Sequence, residues 1–107
     1  MRALALSLAL LMATPALAHK LVIYAYADAG ELVVEAKFSN GNTAKLGQIR
    51  VLDAASTLLT TVPLDDDGET RLPLPEGGAA GVTIEVETDA GHQDYWILTP
   101  ADLGAEG

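Results

Sequence analysis

The chain has 107 residues and no cysteine, which is enough for one small domain held together by packing and strand hydrogen bonds rather than by disulfides. Its formal net charge of −9 at pH 7 repels nucleic acid and anionic lipid surfaces, and it enriches cations nearby. We therefore expect no nucleic-acid partner.

Residues 1–18 have the pattern of a secretory signal peptide. Arg2 supplies the positive charge, residues 3–13 form an apolar stretch, and Ala16-Leu17-Ala18 is the small-x-small pattern of a cleavage site. The apolar stretch is shorter than the roughly 20 residues that span a bilayer. We predict export and cleavage after Ala18, with no direct membrane insertion of the mature chain. The mature chain then begins with His19, and loss of Arg2 takes its net charge from −9 to −10.

Beyond residue 18, apolar residues alternate with polar ones at a period of two, which is typical of half-buried strands. Turn signals rich in Gly, Asn and Asp separate seven predicted strands, at 19–27, 31–38, 48–53, 58–64, 70–74, 82–87 and 92–98. This spacing predicts an all-β domain over residues 19–100, a seven-stranded antiparallel β-sandwich of immunoglobulin-like or transthyretin-like type. We expect a flexible tail at 101–107.

The chain also resembles a known family through short segments that follow one another in order. These are Ala18-His19-Lys20, Phe38-Ser39-Asn40-Gly41, Ile49-Arg50-Val51-Leu52-Asp53, Asp67-Gly68 before Leu72-Pro73-Leu74-Pro75, and Ala90-Gly91-His92 leading to Trp96. Together they resemble the small periplasmic accessory component of bacterial nickel/cobalt uptake transporters, which is itself similar to carboxypeptidase regulatory-like, transthyretin-like domains. The resemblance covers essentially the whole mature chain. It implies a periplasmic location, support of nickel or cobalt uptake, and metal-transporter subunits in the membrane as partners.

His19 is the leading candidate for a metal ligand. As a mature N-terminus it offers an α-amine and an imidazole on one residue, and both can lose their protons near neutral pH. Nitrogen ligands of this kind suit nickel, cobalt and copper.

His92 is the second histidine, and strand spacing places it on the same side as Asp94. We predict that His92 and Asp94 complete a site with His19 if the first and last strands lie side by side. The alternative for His92 is a turn residue whose ring hydrogen-bonds to the backbone.

Three functions stay open at this stage. The first is a periplasmic domain that binds a divalent transition metal in support of uptake. The second is a metal-free structural or protein-docking sandwich, and the third is a periplasmic copper carrier. We do not expect an enzyme, because the sequence has no nucleophile elbow, no HExxH motif and no phosphate-binding glycine loop. The acidic run at 65–69 lacks the spacing of an EF-hand, which favours a hairpin turn.

Overall fold

The computed structural model describes residues 20–65, 67–88 and 91–104. All regular secondary structure in these ranges is β-strand. The same ranges contain no helix long and apolar enough to cross a membrane. The strands are β1 (Leu21–Asp28), β2 (Glu31–Phe38), β3 (Gly47–Asp53), β4 (Leu58–Pro63), β5 (Glu69–Pro73), β6 (Val82–Thr88) and β7 (Gln93–Leu98). Their bounds differ from the predicted ones by one or two residues at most.

The seven strands form two antiparallel sheets, with the orders β1-β2-β5 and β4-β3-β6-β7. The predicted all-β sandwich is therefore confirmed. Constant-type immunoglobulin domains place strands A, B, E and D in one sheet and C, F and G in the other. When the strands are lettered in chain order, this chain has the same two groups with one difference. Its fourth strand, β4, lies beside β3 in the second sheet instead of belonging to the first sheet. Edge strands β1 and β7, one from each sheet, lie against each other.

The core lies between the sheets and takes alternate residues from each strand. In β6, for example, Val82, Ile84 and Val86 are buried, whereas Thr83 and Glu85 between them are partly exposed. Burying one such aliphatic side chain contributes roughly 1.5–3 kcal/mol. The core therefore supplies the stability that a cysteine-free domain needs.

Gly47 opens β3 at a point where no side chain fits. A Cβ atom there would overlap the backbone carbonyl of Glu87 and lie 2.8 Å from the Cα of Thr88. The Gly47 carbonyl also accepts a hydrogen bond from the backbone N–H of Leu64 (3.0 Å). This close approach joins β3, β4 and β6 at the end of the sandwich that carries His92.

The chain continues past β7 as a hydrogen-bonded turn. The backbone N–H of Thr99 donates to Oδ2 of Asp102 (2.9 Å), and the Asp102 N–H donates to Oγ1 of Thr99 (3.2 Å). Leu103 packs against the core. Residues 101–104 of the segment expected to be a flexible tail take part in this turn, and residues 105–107 lie outside the described ranges.

Candidate metal-binding site

His92 immediately precedes β7 and is held at the end of the sandwich where β1 begins. Its carbonyl accepts a hydrogen bond from the Thr88 N–H (2.8 Å), which closes the β6–β7 hairpin. Its ring meets the ring of Phe38 edge to face, with 5.2 Å between centroids. Phe38 ends β2 and is the register partner of Leu21, the first residue of β1. The imidazole therefore lies close to the start of the first strand.

Lys20, the residue after His19, is fixed near the same place. Its backbone N–H donates to Oγ of Ser39 (3.0 Å), and its carbonyl accepts from the Ser39 N–H (2.7 Å). Ser39 directly follows Phe38, whose ring contacts His92. His19 itself lies outside the described residues. The N-terminus predicted at position 19 is one residue away from Lys20, whose backbone is fixed by these two hydrogen bonds. One residue of extended chain spans only about 3.3–3.6 Å.

Two buried polar atoms at this end have no hydrogen-bond partner within the part of the chain that the structure describes. They are Nδ1 of His92 and Oγ1 of Thr88. A buried polar atom left unpaired costs roughly 1–3 kcal/mol, and native proteins usually satisfy such atoms with protein, water or an ion. Among the described residues, no hydrogen bond joins the His92 ring to the backbone. Within those ranges, Nδ1 of His92 is thus a buried ring nitrogen whose partner is not among the described residues.

Asp94 has one of its two carboxylate oxygens engaged in a hydrogen bond. It lies in β7 opposite Val86, so its side chain shares the inner side of the sheet with Trp96. Its Oδ1 accepts a hydrogen bond from the backbone N–H of Tyr95 (2.8 Å). Within residues 20–65, 67–88 and 91–104, no three His, Asp or Glu side chains are grouped so that they could hold a metal ion. A metal site at this end would therefore need a ligand from outside these ranges, and His19 is the one that the sequence predicts.

Aromatic side chains close the seam between β1 and β7. Tyr24 meets Trp96 edge to face, with 5.1 Å between ring centroids, and Tyr26 lies 5.5 Å from Tyr24. Trp96 also packs against the core. The seam fixes the relative positions of the two strands whose ends carry the candidate ligands.

Charge pairing on the three-stranded sheet is dominated by carboxylates around one arginine. Arg71 donates hydrogen bonds to Glu31 (3.3 Å), Asp28 (3.4 Å) and Glu69 (3.4 Å), which raise the pKa of its guanidinium. Three carboxylates against one cation leave this face negative. Its negative charge favours the approach of cations.

The four-stranded sheet repeats this arrangement on its outer side. Arg50 donates to Glu85 (3.1 Å) and Glu87 (3.2 Å), and these hydrogen bonds raise its pKa. Glu85 is the cross-strand neighbour of Arg50 in the register. Neither cluster is visible in the sequence alone, because both depend on the pairing of β2 with β5 and of β3 with β6.

The chain matches no protein-family model, no curated protein and no solved structure. The resemblance to nickel/cobalt transporter accessory components therefore stays a prediction.

Proposed function

We propose that the exported chain binds one divalent transition-metal ion, nickel or cobalt, in the periplasm and supports its uptake. The ligands are the α-amine and imidazole of His19 and the imidazole of His92. The observation that carries this proposal is the ring nitrogen of His92, which has no hydrogen-bond partner among the described residues and lies at the end of the sandwich where β1 begins.

The chemistry of this ligand set fits such an ion. An amine and an imidazole on one residue form a chelate, and a second imidazole adds a third nitrogen, a donor type preferred by nickel, cobalt and copper. The charge of −10 expected after cleavage attracts the cation before it binds. Asp94 is the candidate fourth ligand, since its Oδ1 accepts the Tyr95 N–H and its second oxygen can bind an ion at the same time.

Protons compete with the metal at every one of these ligands. Coordination requires a neutral amine and neutral imidazoles, so binding releases protons and the affinity falls as the pH drops. A titration at two pH values should therefore show weaker binding at the lower pH.

Membrane subunits of a metal transporter are the proposed partners, and they should co-purify with the metal-loaded chain.

Calorimetric titration with nickel, cobalt and copper tests the proposal. Intact-mass spectrometry first verifies that the purified protein starts at His19. We expect saturable binding of one ion, and at least tenfold weaker binding in His19→Ala and in His92→Ala, a change of about 1.4 kcal/mol or more. Gln93→Ala, an exposed neighbour in β7, is the matched control and should bind normally.

Other outcomes would redirect the proposal. Absence of saturable binding to any of the three metals would contradict it and favour the metal-free docking domain. The exposed side chains of Tyr95 and Ile97 on β7 suit that alternative. Binding of copper alone would favour a periplasmic copper carrier.

A further inference from the structure

The aromatic side chains at the seam of β1 and β7 form one partly exposed surface. Tyr24 is 48% exposed, and its ring centroid lies 5.5 Å from that of Tyr26 and 5.1 Å from that of Trp96. Val22, on the same side of β1, is 46% exposed. We call Val22, Tyr24, Tyr26 and Trp96 the seam patch. Apolar side chains that are exposed together, unlike ones scattered singly, mark interaction sites.

A carboxylate without a partner borders the seam patch on the outer side of the three-stranded sheet. Glu35 lies opposite Tyr24 on β1 and opposite Glu69 on β5. Side chains at directly opposite positions have their Cβ atoms about 4.5–5.5 Å apart, and two like charges there are destabilising. Glu69 is paired with Arg71, but no ion pair within the described ranges reaches Glu35. The ring of Tyr24 therefore lies beside an uncompensated negative charge.

This sheet face as a whole has an excess of negative charge. Its outward positions hold four carboxylates and two cations, which are Asp28, Glu31, Glu35, Glu69, Lys37 and Arg71. Arg71 already donates to three of the carboxylates. Burial and the negative charges of Glu69 and Glu35 raise the pKa of the Tyr26 hydroxyl. A cationic group is therefore the complement of this face, and a second copy of the acidic chain is not.

Among cationic groups, the guanidinium of arginine fits this arrangement best. It is planar, stacks on aromatic rings and donates to carboxylates through a rigid fork, whereas the ammonium group of lysine is a compact point charge. A guanidinium on the ring of Tyr24 is within reach of Glu35, because the two side chains are cross-strand neighbours. The same group then supplies the partner that the Glu35 carboxylate lacks.

We propose that the seam patch docks an arginine-bearing segment of a partner protein, with the guanidinium on the ring of Tyr24 and paired with Glu35. The partner is a polypeptide because this surface is the open side of a sheet, whereas small-molecule sites are concave. From position 22 to position 26 the strand runs about 13 Å, a length that several residues of an extended segment cover. The proposal does not depend on metal binding.

NMR titration of the metal-free chain from residue 19 with a synthetic peptide tests this docking surface. The probe carries arginine at three alternate positions. A matched probe replaces each arginine with citrulline, which keeps the planar shape but is neutral. We expect saturable shifts of the backbone amide signals at 22–26 and 33–37 with the arginine peptide. The citrulline peptide should bind at least tenfold more weakly.

Two pairs of variants separate docking on this face from general attraction to an acidic chain. Glu35→Gln and Glu76→Gln each remove one negative charge, and Glu76 is exposed in the loop between β5 and β6. Tyr24→Leu removes the ring but keeps an apolar side chain, and Tyr95→Leu makes the same change on the outer side of β7, where Tyr95 is 60% exposed.

The four variants should fall into two groups. Glu35→Gln and Tyr24→Leu should each weaken binding of the arginine peptide about threefold, the change expected for one exposed ion pair or cation–π contact. Glu76→Gln and Tyr95→Leu should bind as the parent does. Thermal melts followed by circular dichroism verify that each variant is folded.

Five results would overturn the proposal. One is no binding of the arginine peptide at millimolar concentration, and another is equal binding of the citrulline peptide. A third is equal weakening by Glu35→Gln and Glu76→Gln, which would reduce the effect to overall charge. A fourth is shifts confined to β3 and β6, which would move the surface to the cluster around Arg50. The last is broadening at 22–26 that grows with protein concentration without peptide, which would assign the patch to a second copy.

Discussion

Replacing Ile84 with alanine removes three carbon atoms from the centre of the core. Ile84 is fully buried in the inner strand β6, facing Val51 and Trp96 in the register. Such a truncation costs about 2–5 kcal/mol, because apolar contacts are lost and a cavity forms. A domain of this length has about 4–13 kcal/mol of total stability, at 0.05–0.15 kcal/mol per residue. The variant should therefore lose a large part of its stability and melt at least about 10 °C lower.

The matched control is Ile97→Ala, the same substitution one strand away. Ile97 pairs with Thr83 on the outer side of the sheet and is 58% exposed. Its truncation should cost less than about 1 kcal/mol. Urea unfolding of both variants gives the two free energies of unfolding. We expect the slope of the free energy of unfolding against urea concentration to be the same in both variants. Equal losses in Ile84→Ala and Ile97→Ala would refute the assignment of inner and outer faces in β6 and β7.

Three further perturbations test particular contacts. Gly47→Ala should prevent or severely weaken folding, because its Cβ would lie 2.8 Å from Thr88 Cα; a melting temperature equal to that of the parent would contradict this. Arg71→Met should destabilise the chain more at low salt than at high salt, since salt screens the three carboxylates that surround the arginine; a loss independent of salt would point to packing instead. Hydrogen bonds from the Thr99 backbone and side chain lower the pKa of Asp102. This carboxylate therefore stabilises the fold above the pKa of an unfolded Asp, about 3.9, and the effect disappears as the pH falls through the folded pKa. An NMR titration in which Asp102 titrates no lower in the folded than in the urea-unfolded chain would count against it.

The strands were predictable because alternation is a local property. In β2, Leu32, Val34 and Ala36 alternate with outward residues, and the structure buries them as expected. Val33 is the exception, since it lies on the outer face and is still fully buried. The reason is its register, which places Tyr26 on one side and Arg71 on the other. No local pattern contains that information.

The candidate site was predictable only in part. The sequence indicated His92 as a candidate ligand. Whether it lies near His19 depended on whether the first and last strands are neighbours, which the sequence did not determine. Adjacency of β1 and β7 is a property of the chain topology, and Tyr24 and Trp96, which maintain it, are 72 positions apart. Pairing over such a distance is decided by the packing of both sheets. That Nδ1 of His92 is buried with no hydrogen-bond partner in the described part of the chain is likewise a property of the three-dimensional structure.

The proposed site uses two imidazoles to bind one ion, and the chain has only two histidines. The most direct measurement is therefore the NMR spectrum of the imidazole groups in the chain that starts at His19, before and after one equivalent of nickel. Binding by His19 and His92 together predicts that both sets of ring resonances shift or broaden in parallel and reach their end point at one ion per chain. Resonances of His92 that stay unchanged while nickel binds elsewhere, or that never respond, would contradict the account.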